Sequence, residues 1–71
     1  MEAFQERMVA EFKELSDRVE KLDSFIYSNP LFDKLDKKEK YLQVQQLTGM
    51  KVYLSSLMCR LNRQGIKVEL P

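Results

Sequence analysis

Seventy-one residues with 12 basic and 11 acidic side chains, a formal net charge of +1, no histidine and one cysteine leave room for a single domain, residues 1–71. A chain this short buries only about 60% of its unfolded surface and usually leans on a metal, disulfides or a partner chain. The lone Cys59 excludes an internal disulfide and the missing histidine argues against a metal site, so the expected support is self-association in a reducing compartment.

The charge is unevenly laid out. Residues 1–33 hold eight acids and four bases, a net of −4; residues 34–71 hold three acids and eight bases, a net of +5. Two such halves attract when the chain folds back on itself; the sharper alternative is a basic site for an anionic partner in the second half. The opening MEAFQERMVAEF is acidic and amphipathic, unlike a secretory leader, and points to the cytoplasm.

A first helix is predicted over about residues 1–28. Met8, Phe12, Leu15, Val19, Leu22 and Ile26 recur at alternating steps of four and three, an a/d seam with Phe4 and Phe25 beside it. Glu14 with Arg18, and Asp17 with Lys21, are acid-before-base pairs one turn apart on the charged face, worth about 0.3–0.5 kcal/mol each. Pro30 disfavours helical geometry at Asn29, so residues 29–36 form a corner, with Asn29 capping a short turn. There Leu31, Phe32 and Leu35 are expected to plug one end of a hairpin.

Asp36-Lys37-Lys38-Glu39 reads as a capping box that opens a second helix over about residues 37–64. Leu47, Met50, Leu54, Leu57 and Leu61 mark one face of it. Val44, Lys51 and Met58 form a neighbouring ridge, and Tyr41, Leu42, Val52 and Tyr53 widen the apolar surface beyond what a lone surface helix needs. The stretch Tyr41–Cys59 carries one charge, Lys51, yet its glutamines and serines interrupt any run of roughly 20 apolar residues that could cross a membrane. Such a helix touches its own chain on one side and another chain on the other. Gly49, unfavourable in mid-helix by about 1 kcal/mol, is expected at a close helix crossing. Gly65 suits the left-handed residue after the helix, with Ile66 folding back. The alternating tail, residues 65–71, reads as a short strand along a neighbour or a frayed end. The fold class is thus all-α: an antiparallel two-helix hairpin assembled into a helical-bundle homo-oligomer.

Enzymatic chemistry has little support. No histidine supplies a base near neutral pH, the acids fall mainly on a solvated face, and two distant glycines build no phosphate-cradling loop. No catalytic residue, metal ligand or cofactor is assigned. Cys59 is expected to be buried among Leu57, Met58 and Leu61. Lys34, Lys37, Lys38 and Lys40 are interleaved with Asp33, Asp36 and Glu39, a solvated helix start rather than a face for duplex DNA or RNA. Lys51 stands apart because it lies beside the apolar seam. Either its stem snorkels along the core edge, or it pairs with an anionic ligand between chains, with Tyr41, Tyr53, Arg60 and Arg63 as neighbours.

The opening FQERMVAEFKELSDRVEKLDSFI, the corner SNPLFDKLDKKEK and the helix YLQVQQLTGMKVYLSSLMCRL together resemble short phage-encoded helical-hairpin proteins of tailed phages, crAss-like ones included, whose members carry no assigned activity. The likeness extends to about Ile66. Small helical phage proteins of similar build include oligomeric sponges that sequester the cyclic nucleotide signals of bacterial immunity. The resemblance therefore implies a counter-defence protein in the host bacterial cytoplasm that sequesters a small anionic, nucleotide-type signal at a basic site between chains. The alternative is an interaction module that inhibits or adapts a host defence protein through an exposed helix face.

Overall fold

The computed structural model describes residues 1–70, as two antiparallel helices, α1 (Ala3–Ser28) and α2 (Lys37–Arg63), joined by a 3₁₀ turn (Pro30–Lys34). The hairpin is a rod measuring 45 × 16 × 16 Å.

Local signals set the ends of each helix. The Glu2 amide donates to Gln5 Oε1 at 2.9 Å, closing the first turn of α1. At the corner, Asn29 Oδ1 accepts from the Leu31 amide at 2.9 Å, so the asparagine caps the turn that Pro30 pre-shapes. Asp36 Oδ1 accepts from the Glu39 amide at 2.8 Å, satisfying one of the free donors that open α2. Only that half of the expected box forms; the Glu39 carboxylate accepts from Gln43 Nε2 at 3.1 Å instead. α2 ends in a Schellman motif: Gly65 has φ of 79°, its amide donates to Asn62 O, and the Ile66 amide reaches Leu61 O, both at 3.0 Å.

One seam holds the rod together. Met8, Phe12, Leu15, Val19 and Ile26 of α1 face Leu47, Leu54, Leu57 and Leu61 of α2, and all nine are buried. Leu54, Leu57 and Leu61 are the driest, at 1%, 1% and 0% exposure. Each such leucine contributes about 1.5–3 kcal/mol through burial. Charge contributes less than the opposed halves imply, since Lys51–Asp23 is the ion pair that crosses between helices among the described residues. Asp17–Lys21 closes at 2.9 Å along α1, whereas the expected Glu14–Arg18 pair does not.

Three expectations are corrected. Leu31 is 55% exposed and plugs nothing; the corner is closed by Phe32, which meets Phe25 edge-on at 6.1 Å between ring centroids. The tail does not fray through Leu70: Ile66 and Val68 pack against the core, and Leu70 reaches a recess beside Val19, Lys51 and Leu54. Pro71 lies outside the described residues. Cys59 is exposed, because it falls on the side of α2 turned away from α1. No helix among the described residues is long and apolar enough to cross a membrane.

Candidate functional site

Lys51 leaves α2 at the edge of the seam. Its stem lies with Val19, Leu54 and Leu70 around a recess of about 150 Å³. Its ammonium stands 3.4 Å from Asp23 Oδ1 on α1. Both side chains remain about half exposed, at 55% and 45%, so water shares the pair. This is an apolar stem with a hydrated head.

The other four candidates do not gather around it. Tyr41 is 62% exposed near the start of α2, with the Lys38 ammonium 5.9 Å from its ring centroid. Tyr53, 47% exposed, lies across the helix, about 160° around the axis from Lys51. Arg60 turns back over α1, its Nη2 4.0 Å from Met8 Sδ, beside Gln64, whose amide is 3.7 Å from the same sulfur. Nine residues separate Lys51 from Arg60, which sets them on opposite sides of α2, about 180° apart. Arg63 is exposed in the last turn. Tyr41 and Arg63 share the side of α2 facing away from α1, but at opposite ends, about 33 Å apart. A single hairpin therefore does not assemble the five into a concave site.

What the single hairpin does present is a face. Tyr41, Gln45, Thr48, Val52, Ser55 and Cys59 follow one another at steps of four and three, about 160° around α2 from the buried leucines. Val52 is 63% exposed and Val44, at its flank, 40%. Gly49 sits on the same side, and a β-carbon built on it meets nothing within 4 Å. The helix crossing expected at Gly49 is therefore not with α1. α2 contains a single acid, Glu39, and it lies on the other side of the helix. Sequence reasoning counted the apolar surplus of α2 correctly but set Lys38 aside as part of a solvated helix start. The spacing of Lys38 to Tyr41, one turn, would have placed both on this face.

The recesses on the surface of the described residues are open to solvent. One, of about 620 Å³, is an open hollow at the corner lined by Asp17, Glu20, Ser24, Phe25 and Pro30 among others. Another, of about 400 Å³, lies on the outer side of α2 between Thr48, Lys51, Val52, Ser55 and Ser56. No group of three or more metal-ligating side chains occurs among the described residues. Such surfaces suit recognition by stacking, charge and shape.

The family model described as Sequestin matches residues 2–63, which span α1, the corner and all of α2. No curated protein and no solved structure matches the chain.

Proposed function

The chain belongs to the Sequestin family, and on that premise we propose that it acts by sequestration, capturing a small anionic, nucleotide-type signal between copies of itself. The family's name supports capture of a partner. The observation that carries the rest is the outer face of α2, exposed, acid-free and rimmed by Lys38, Tyr41 and Arg63. One hairpin offers that face no depth, so a site able to hold a small molecule needs a second chain to close it. On this reading the protein is a homo-oligomer of phage origin, working in the host bacterial cytoplasm against a defence signal. Of the five residues named from sequence, Tyr41 and Arg63 already lie on the closing face. Lys51 joins them only by leaving Asp23, and Tyr53 and Arg60 line its far edge.

Capture without turnover is part of the proposal. The test is a thermal-shift screen against cyclic di- and trinucleotides and ADP-ribose derivatives. A specific ligand at a hundredfold its Kd raises stability by about 2.7 kcal/mol. Heat-denaturing the complex and recovering the nucleotide chemically unchanged separates a sponge from an enzyme. A panel in which nothing shifts the melt, alongside capture of one host protein at fixed stoichiometry, transfers the reading to protein inhibition. The exposed Tyr41, Val44 and Val52 give that second reading its footing.

A further inference from the structure

We infer that the occupant of the outer face of α2 is the same face of a second copy, laid antiparallel about Val52, and that the pairing builds a phosphate site at each end from Lys38 and Tyr41 of one copy and Arg63 of the partner subunit. The phosphate sites rest on the sequestration reading above; the pairing itself does not.

Surface area speaks first. A compact folded protein of 8.4 kDa exposes about 4,600 Å² on the scaling of area with mass. This chain exposes 5345 Å², an excess of about 700 Å², close to the roughly 800 Å² that each partner buries in a standard dimer. The excess is what a rod of two helices leaves uncovered.

Side-chain size then sets the direction. Gly49 and Ser55 lie three residues either side of Val52, and Thr48 and Ser56 lie four either side. A two-fold axis at Val52 sets Gly49 against Ser55 and Thr48 against Ser56, small against small, so the backbones approach closely and the space beside Gly49 is filled. Gln45 then meets Cys59, each seven residues from the axis. Parallel pairing would stack Tyr41 on Tyr41, set Lys37 and Lys38 against their own copies and align the two helix dipoles.

The ends follow from the same register. Tyr41 and Arg63 are each eleven residues from Val52, so each end joins Tyr41 and Lys38 to Arg63 of the partner subunit. No acid lies on this face to offset the cations. An anion does so: the guanidinium fork and the ammonium hold a phosphate, and the exposed Tyr41 ring stacks on a planar base. The repulsion between cations weakens the unliganded pair, and the ligand draws it together.

Gln45→Cys, with Cys59 kept, tests the register. Positions 45 and 59 of one chain are about 21 Å apart along α2, beyond disulfide reach, so a bridge between them is intermolecular. Diamide is expected to convert the variant to a covalent dimer while leaving the wild type, with Cys59 alone, uncrosslinked. Sedimentation as a monomer at tens of micromolar with and without pyrophosphate, efficient Cys59–Cys59 crosslinking of the wild type, or a non-covalent dimer whose Gln45→Cys form resists crosslinking each overturns the pairing. ADP-ribose and inorganic pyrophosphate are the probes for the ends. Both should raise the wild-type dimer fraction, and Arg63→Gln and Lys38→Gln should each weaken ADP-ribose binding at least tenfold with crosslinking of the Gln45→Cys background retained. Unchanged affinity in both variants, or no response to either probe, overturns the end sites, whereas the sequestration reading falls only if the whole nucleotide panel fails.

Discussion

Replacing Lys51 by methionine removes one ammonium and keeps an unbranched stem against Val19, Leu54 and Leu70. At the observed 3.4 Å from Asp23, two unit charges attract by about 1.2 kcal/mol in bulk water. Ordering two flexible side chains and screening by salt reduce this to the range of about 0–1 kcal/mol found for exposed pairs. Methionine returns part of the loss by burying its thioether where the ammonium was half hydrated. The expected change in stability is within about 0.5 kcal/mol of zero, a shift in Tm below about 4 °C for a domain of this size. Thermal melts followed by circular dichroism, at low and high salt, measure it, and the difference from wild type should shrink as salt rises. A loss above about 2 kcal/mol would refute the reasoning, because it would mean that Asp23 is left dry and unpaired rather than hydrated. Lys51→Met should also capture nucleotide as the wild type does, since the end sites built by Lys38, Tyr41 and Arg63 do not use Lys51. A variant that folds normally but no longer captures nucleotide returns Lys51 to the ligand site.

Other substitutions probe single features. Leu61→Ala, at a residue of 0% exposure, should cost about 2–5 kcal/mol in urea denaturation, and a cost under 1 kcal/mol would show that the seam relaxes around the gap. Asp36→Ala should lose about 0.5–2 kcal/mol with the cap to the Glu39 amide, while Asp36→Asn keeps most of it. Gln43 buries its side-chain oxygen without a hydrogen-bond partner, so Gln43→Leu should leave stability unchanged or raise it by about 1 kcal/mol in the same denaturation assay. The two glycines should respond with opposite signs. Gly65→Ala is strained at φ of 79° and should destabilise by about 1 kcal/mol, whereas Gly49→Ala in dilute protein should stabilise the hairpin by a similar amount and weaken self-association seen in sedimentation.

Residue spacing alone sets the elements and the seam. Steps of four and three from Met8 to Ile26 are a property of one helix, and they select the buried residues of α1 whatever those residues later touch. Asn29-Pro30, Asp36 and Gly65 act within a few residues of themselves, so their caps were legible too, apart from the choice the Glu39 carboxylate makes between the Asp36 amide and the Gln43 side chain. How α2 is rotated about its axis follows from packing between the helices, not from spacing within one. An apolar surplus on a helix says that more than one side is available, not which side a partner takes. Packing the leucines of α2 on α1 fixed that rotation and turned Gly49, Val52 and Cys59 outward, so that a close crossing at Gly49 cannot be with α1 and Cys59 is exposed against the expectation of burial. The same rotation set Lys51 at the edge beside Asp23 and carried Arg60 over Met8, separating residues that the sequence allowed to converge. Distances across a fold depend on which faces bury the most apolar area together, and that competition is settled only between elements, never within one.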